Sequence, residues 1–309
     1  EVRRMSKILV TGGLGVVGTP LVEELRKRGN EVWVCDLAHN HHPNYIRCDI
    51  SQYRQLENIF SKHSFDYVYN LAAEFGRWNG EDFYEKVWMS NAIGTKNILR
   101  FQEKNKFKLI HFSSSEVYGD YDDIMYERVM DEKPIKQMND YAISKWVNEM
   151  QIHNSELMFG TETVRVRLFN TYGPGEFYSP YRSVICMFCY RAINNMPYTV
   201  YTGHHRTNTY IDDCINALAN ISSNFKPGEV YNIASAEYYD IKSISDYVLE
   251  AAGKTDALVT YKEFENQTTL DKKVDNAKAV RDLGMRTTVD LKEGIVRTVE
   301  WMRRVYDVQ

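Results

Sequence analysis

Short apolar, β-branched runs alternate along the chain with stretches in which apolar residues recur every three or four positions. KILVTGG (7–13) reads as a buried parallel strand closed by glycines. PLVEELRKRG (20–29) is apolar at 21, 22 and 25 and closes on Gly29, which predicts a helix with a glycine C-cap. EVWVCD (31–36) predicts a strand, YRQLENIFSKH (53–63) a helix and DYVYNLAA (66–73) a strand. The stretch 81–105 reads as mostly helix, KLIHFSSS (108–115) as strand, 139–159 as helix and TVRVRLFN (163–170) as strand. Crossovers of helix length demand parallel neighbours with helices on both faces, so the class is α/β with a doubly wound parallel sheet.

After YGPGE (172–176) the rhythm changes. Pro and Gly punctuate short strand candidates at 198–202, 208–211 and 229–235, and helices are predicted over 241–252, 275–283 and 290–306. Residues 1–171 are expected to form one domain and 172–309 mainly a smaller α+β one, with the strand near 229–235 joining the large sheet. No internal repeat or low-complexity linker interrupts the pattern.

With 309 residues the chain can bury a large core, and a net charge of −4 offers no bulk attraction for a nucleic-acid backbone. No run of about 18 apolar residues is present, so no membrane-spanning helix is expected. EVRRMSKILV lacks a signal-peptide pattern, and Met5 is read as the natural start, with Glu1–Arg4 left from upstream. Five cysteines cannot all pair with one another, and Cys35 and Cys48 lie in strand-like surroundings; free thiols in a reducing cytoplasm are expected.

Chemistry enters at TGGLGVVG (11–18). Gly12 permits a tight turn, Gly15 lets backbone approach a pyrophosphate at a helix N-terminus, and Gly18 lets helix pack on strand. The strand before it, the helix after it and Asp36 at the end of the second strand make this a dinucleotide-binding pattern, with Val16 and Val17 completing the turn. A carboxylate at Asp36 accepts from both adenosine ribose hydroxyls and repels a 2′-phosphate, favouring NAD over NADP. Asp49, followed by Ile50, either bonds the adenine amino group or simply ends a strand. In NDYAISKWVNEM (139–150), Tyr141 and Lys145 stand one helical turn apart. Tyrosine is ordinarily neutral, with a pKa of about 10. A nearby ammonium plus the positive charge of an oxidised nicotinamide would favour the phenolate, a base able to take a hydroxyl proton as hydride leaves the same carbon.

TGGLGVVG, NLAA (70–73), SSSEVYG (113–119), YAISK (141–145), RLFNTYGP (167–174) and RTNTYIDD (206–213) stand in the order and spacing of the extended short-chain dehydrogenase/reductases. Over nearly its whole length the chain resembles their nucleotide-sugar epimerase and dehydratase branch. The resemblance implies a Rossmann domain with tightly held NAD, and contacts from Leu71, Ala72 and Ala73. It implies that Tyr141 and Lys145 oxidise a sugar hydroxyl, usually at C4, that Lys145 also holds the nicotinamide ribose, and that Ser114 hydrogen-bonds the sugar O4. Asn170 and Arg206 are implied to contact the substrate's diphosphate or sugar, a role for which a guanidinium is well shaped. In many relatives helices matching 81–104 and 140–158 pair two subunits, so a homodimer is expected.

Glu116 divides the possible outcomes. Plain 4-epimerases of this family usually carry a small neutral residue there. The 4,6-dehydratases carry a glutamate that takes the C5 proton once C4 is a ketone, and many precede it with an aspartate that protonates the leaving hydroxyl. This chain has Ser115, as GDP-mannose 4,6-dehydratases do. UDP-glucuronate decarboxylases share a similar SEVYG. Glu116 is therefore a base, a binding group for a sugar hydroxyl, or a turn carboxylate capping a backbone N–H. The expected activity is NAD-dependent oxidation at C4 of a GDP- or other nucleotide-linked sugar, as a 4-dehydrogenase or a 4,6-dehydratase; a 4-epimerase is the alternative. The chain also looks somewhat like the GDP-manno-heptose-modifying enzymes of bacterial capsule synthesis, which include a 4-dehydrogenase. A regulator that merely senses the dinucleotide is disfavoured by intact Ser114, Tyr141 and Lys145. A reductase would generally prefer NADPH, against Asp36.

Other features have plainer readings. Arg77 and Trp78 in GRWNGED (76–82) either touch sugar or pack. Arg182 and Arg191 read as a solvated face. Cys186 and Cys189 lie inside a predicted helix and read as core thiols rather than a redox pair. His39, His41 and His42 lack a second ligand set, so no metal is expected.

Overall fold

A computed structural model describes residues 5–309; Glu1–Arg4, read above as preceding the natural start, lie outside the described residues. The chain forms two compact units. The first comprises residues up to Val117, Asp140–Arg167 and Ile215–Tyr231; the second comprises Tyr118–Asn139, Leu168–Cys214 and Asn232–Gln309.

In chain order the elements begin β1 (Lys7–Thr11), α1 (Gly18–Lys27), β2 (Glu31–Asp36), β3 (Tyr45–Arg47), α2 (Tyr53–Phe60) and β4 (Tyr67–Asn70). Then come α3 (Arg77–Asp82), α4 (Tyr84–Val87), a π-helical segment (Trp88–Ile93), α5 (Gly94–Asn105) and β5 (Lys108–Ser114). A 3₁₀ turn (Ser115–Tyr118) leads to α6 (Val129–Glu132), α7 (Asp140–Phe159), β6 (Thr163–Leu168) and β7 (Thr171–Tyr172). The remainder is α8 (Val184–Ile193), β8 (Tyr198–Tyr201), β9 (His205–Tyr210), α9 (Ile211–Ser223), β10 (Val230–Ile233), β11 (Glu237–Asp240), α10 (Ile241–Ala252), β12 (Val259–Lys262), β13 (Asp271–Lys272), α11 (Ala277–Leu283) and α12 (Leu291–Val305).

The large sheet has seven strands in the order β10-β6-β5-β4-β1-β2-β3. The pairs β1–β2, β1–β4, β2–β3 and β4–β5 run parallel. The order reverses between β1 and β4, and in such sheets ligands bind beyond the carboxyl ends of the strands at the reversal. The strands are buried runs, with Ile8, Leu9, Val68, Leu109 and Ile110 fully enclosed. Helices α2 and α5 cover one face through Leu56, Ile59, Ile98 and Leu99. Phe60 stacks between Phe101 and Phe107 at centroid separations of 4.9 and 5.3 Å.

In the second unit, β9 lies between antiparallel β11 and parallel β13, and β7 also pairs with it; β8 pairs with β12. Helices α8, α10 and α12 begin at true caps: Ser183 accepts from Cys186 N (3.2 Å), Asp240 from Ser243 N (2.9 Å) and Asp290 from Glu293 N (2.8 Å). The pattern missed β3, most of α3, α6, α9 and the short strands β7, β11, β12 and β13. All five cysteines are free and buried, with Cys186 and Cys189 inside α8. Among the described residues no helix is long and apolar enough to cross a membrane.

Candidate active site

The turn after β1 is tight because Gly12 has φ +66° and a Cβ there would lie 2.7 Å from the Ala72 nitrogen. A Cβ on Gly18 would collide with the Gly12 carbonyl oxygen. Gly15 is exposed, and a Cβ on it would meet only that carbonyl, at 3.3 Å, so the outer side of the turn is open. Thr11 Oγ1 donates to Asn70 (2.7 Å) and accepts from Ala72 N (3.2 Å), locking β1 to the segment holding Leu71, Ala72 and Ala73. No side chain caps α1. Asp36 ends β2, with Oδ2 accepting from Leu14 N (3.0 Å) and Oδ1 from Leu37 N (2.7 Å). Val16 and Val17 are half-buried at the turn. Asp49 accepts from Ser51 N (2.9 Å), and Ile50 is buried against Gly94, where a Cβ would come within 2.7 Å of it. An open glycine turn on an uncapped ten-residue helix, with a carboxylate beside it, fits a dinucleotide: pyrophosphate on the turn, ribose at Asp36.

The candidate catalytic residues sit where β5 ends. Ser114 is its last residue and is buried. Its Oγ accepts from Glu116 N at 3.2 Å, and its side chain is hydrogen-bonded with Tyr141. Lys145 Nζ donates to the Phe112 carbonyl at 2.9 Å and lies 5.9 Å from the Tyr141 ring centroid. Burial brings the Lys145 ammonium down to about 8. Tyr141 is pushed up to about 12, first by burial and then by the Glu116 charge, while the Ser114 hydrogen bond pulls the other way. Among the chain's own groups burial outweighs the Ser114 hydrogen bond at this phenol, so the expected phenolate rests on the added charge of the oxidised nicotinamide.

Structure also shows what spacing alone did not. Gly80 in α3 sits against Tyr141, where a Cβ would lie 3.2 Å from the Tyr141 nitrogen. Its neighbour Glu81 accepts from Asp140 N (3.2 Å) at the start of α7. Trp78 is 42% exposed, with the Arg77 guanidinium 5.5 Å from its ring centre, so it is not a core residue. Behind Lys145, Glu149 accepts from Ser113 Oγ (2.6 Å) and pairs with Arg167. Ser115 is buried in the 3₁₀ turn.

Asn170 and Arg206 belong to the second unit. Asn170, at φ +40°, donates from Nδ2 to Thr207 O (2.8 Å). Arg206 is buried and donates to the carbonyls of His205 (2.7 Å) and Leu270 (2.9 Å) and to Thr268 Oγ1 (3.2 Å). Among the described residues no group of His, Cys, Asp and Glu is placed to hold a metal, and His39, His41 and His42 lie exposed.

Residues 8–234 match the model of the NAD dependent epimerase/dehydratase family, and the chain belongs to that family. It is an NAD-dependent enzyme. It is 28% identical to UDP-N-acetyl-alpha-D-glucosaminuronate decarboxylase of Bacillus cytotoxicus, over 97% of this chain and 98% of the relative. It is 26% identical to dTDP-glucose 4,6-dehydratase of Neisseria meningitidis, over 96% and 93%. The structure of Thermus thermophilus UDP-glucose 4-epimerase in complex with NAD matches with a TM-score of 0.86 at 26% identity, over 96% of this chain and 99% of that one. The chain's place is thus among nucleotide-sugar epimerases, dehydratases and decarboxylases.

Proposed function

We propose that the enzyme oxidises C4 of a nucleotide-linked hexose to a ketone and then removes the C5 proton with Glu116, so that water is lost across C5–C6. One observation carries this reading: Ser114 Oγ joins Tyr141 to the Glu116 backbone, and the Glu116 carboxylate lies near enough to raise the Tyr141 phenol. A base for the C4 hydroxyl and a base for the adjoining C–H then serve one bound sugar.

When bound, NAD supplies the hydride acceptor and a positive charge that favours the phenolate. Ser114 orients the sugar hydroxyl, Tyr141 takes its proton, and Lys145, fixed by the Phe112 carbonyl, holds cationic charge beside the ring. The ketone acidifies C5–H, and Glu116 takes that proton as the C6–O bond breaks. Glu116 passes that proton to the leaving hydroxide, which departs as water with the Ser115 hydroxyl hydrogen-bonding to it. Hydride returned to C6 from the reduced cofactor, with a proton to C5 balancing the one Tyr141 took, restores NAD and leaves a 4-keto-6-deoxy sugar, a net loss of one water. Asn170 and Arg206 are assigned to the substrate's diphosphate or sugar.

A second reading has its own support. Ser115 stands where many dehydratases carry an aspartate that protonates the leaving group. A serine there is shared by GDP-mannose 4,6-dehydratases and is equally compatible with release of the ketone by a 4-dehydrogenase. In either case the nucleotide is GDP or another diphosphonucleoside, and the setting is cytoplasmic synthesis of bacterial surface polysaccharide. The proposed assembly is a homodimer through the outer faces of α4, the π segment and α7, which expose Tyr84, Met89, Ile93 and Met150.

The test is mass spectrometry after incubation with UDP-glucose, dTDP-glucose, GDP-mannose and a GDP-manno-heptose. A product lighter by about 18 mass units supports dehydration by acid–base chemistry. A loss of about 2 with stoichiometric reduced cofactor identifies the dehydrogenase. Unchanged mass with altered retention means epimerisation, and no product from any of the four overturns the proposal.

A further inference from the structure

Tyr141, Lys145 and Glu149 recur every fourth residue along α7, so they stack on one face of the helix. Each is tied to the end of β5: Tyr141 to Ser114, Lys145 to the Phe112 carbonyl at 2.9 Å, and Glu149 to the Ser113 hydroxyl at 2.6 Å. Successive strand residues point to opposite faces. Ser113 and Ser114 both reach α7 because the chain leaves the sheet at Ser114 and enters the 3₁₀ turn. The direction of Ser114 therefore depends on how firmly Ser113 is held.

Glu149 is itself fixed. Arg167 on β6 donates Nε to Oε1 at 3.0 Å and Nη2 to Oε2 at 2.7 Å, with side chains only 2% and 1% exposed. Arg165 Nη1 lies 3.8 Å from Oε2. A buried two-point fork of this kind sets both distance and angle. Glu149 is thus a rigid bracket spanning α7, β5 and β6, one helical turn beyond Lys145.

We infer that Glu149, clamped by Arg167, is a positioning residue: through Ser113 it sets the angle at which Ser114 meets Tyr141 and the height of Lys145 against β5. The inference rests on the proposed oxidation by Ser114, Tyr141 and Lys145. The plainer account, in which Glu149 only neutralises Arg167, makes a different prediction for Ser113.

Ser113→Ala removes the hydroxyl joining Glu149 to β5 and leaves the ion pair whole, so the protein keeps its fold and melts near the parent temperature. The NAD-loaded crystal structure of this variant should show Ser114 Oγ beyond hydrogen-bond reach of the Tyr141 hydroxyl, more than about 3.5 Å. On whichever of the four nucleotide sugars above is turned over, kcat should fall about tenfold or more while KM stays within about threefold. Glu149→Gln, assayed below its own lowered melting temperature, should show the same split. A Ser113→Ala structure with the Ser114–Tyr141 bond intact overturns the inference, as does a Glu149→Gln that loses stability but keeps kcat. Tyr141→Phe measured alongside separates the two levels: full turnover in that variant defeats the oxidation reading, whatever the geometry of Ser113→Ala.

Discussion

Lys145 donates to the carbonyl of Phe112, two residues before Ser114, at 2.9 Å. The bond holds an ammonium that burial brings from 10.5 to about 8. That drop corresponds to roughly 3 kcal/mol of destabilisation while the amine is charged in both folded and unfolded chains. Lys145→Met loses one hydrogen bond, worth about 1 kcal/mol, and the desolvated charge. It should therefore be about 1–2 kcal/mol more stable at pH 7 and inactive. The sign with pH follows. Between about 8 and 10.5 the unfolded chain keeps the proton that the folded chain has lost, so the parent gains stability as pH rises and the variant's advantage shrinks. Urea unfolding at pH 7 and pH 9.5 measures this; an advantage that grows with pH would contradict it.

Gly80 packs against the first turn of α7 at Tyr141. An added Cβ would lie 3.2 Å from the Tyr141 nitrogen and 3.3 Å from its Cβ, close enough that the first turn of α7 must give way. Gly80→Ala should cost about tenfold or more in turnover through displacement of Tyr141, with NAD affinity unchanged. Turnover and a binding titration on the same preparation check both halves.

Asp36 carries two backbone N–H bonds, from Leu14 in the glycine turn and from Leu37. Asp36→Ala removes the proposed ribose acceptor and the tie to the turn. NAD binding should weaken about tenfold or more, and the preference over NADP should fall further because the repelling charge is gone. Calorimetric titration with both nucleotides reads each change; an unaltered ratio would refute the role in cofactor choice.

The outer faces of the π segment and α7 expose Ile93 and Met150, 45% and 53% accessible. The two segments are tied beside these residues, where Gln151 Nε2 donates to the Ala92 carbonyl at 3.1 Å. If this face is shared by two subunits, Ile93→Glu with Met150→Glu should give a monomer in light scattering with its melting temperature little changed. A parent protein that is already monomeric would rule the assembly out.

What could be read from the sequence was whatever sits within one helical turn or one strand end. The glycine turn, Asp36 and the Tyr141–Lys145 pair are local patterns, and the alternation of strand and helix up to residue 170 follows from periodicity. Helix α9 was missed because its opening, IDDC, reads as the end of a strand rather than the start of an apolar stripe. Strands β7 and β13 are two residues long, too short to show a period. The bracket of Ser113, Glu149 and Arg167 joins three elements, and no spacing rule connects residues so far apart. The upward push on the Tyr141 phenol was also hidden, since it comes from burial and from the nearness of Glu116 rather than from any local spacing.

Glu116 is where one substitution should change the product as well as the rate. Glu116→Gln keeps the side-chain shape and the backbone N–H that Ser114 accepts, but removes the negative charge. That charge helps hold the Tyr141 phenol high, so its loss lowers the phenol's pKa. The limb of the pH–rate profile that rises as the phenol ionises should therefore move to lower pH, and C4 oxidation should persist. With no carboxylate to take the C5 proton, the ketone should stop there. The product should be lighter than substrate by about 2 mass units, with reduced cofactor accumulating, in place of the loss of about 18 for water. If Glu116→Gln still forms the dehydrated sugar at the parent rate, Glu116 is not the C5 base but a binding group for the sugar or a turn carboxylate.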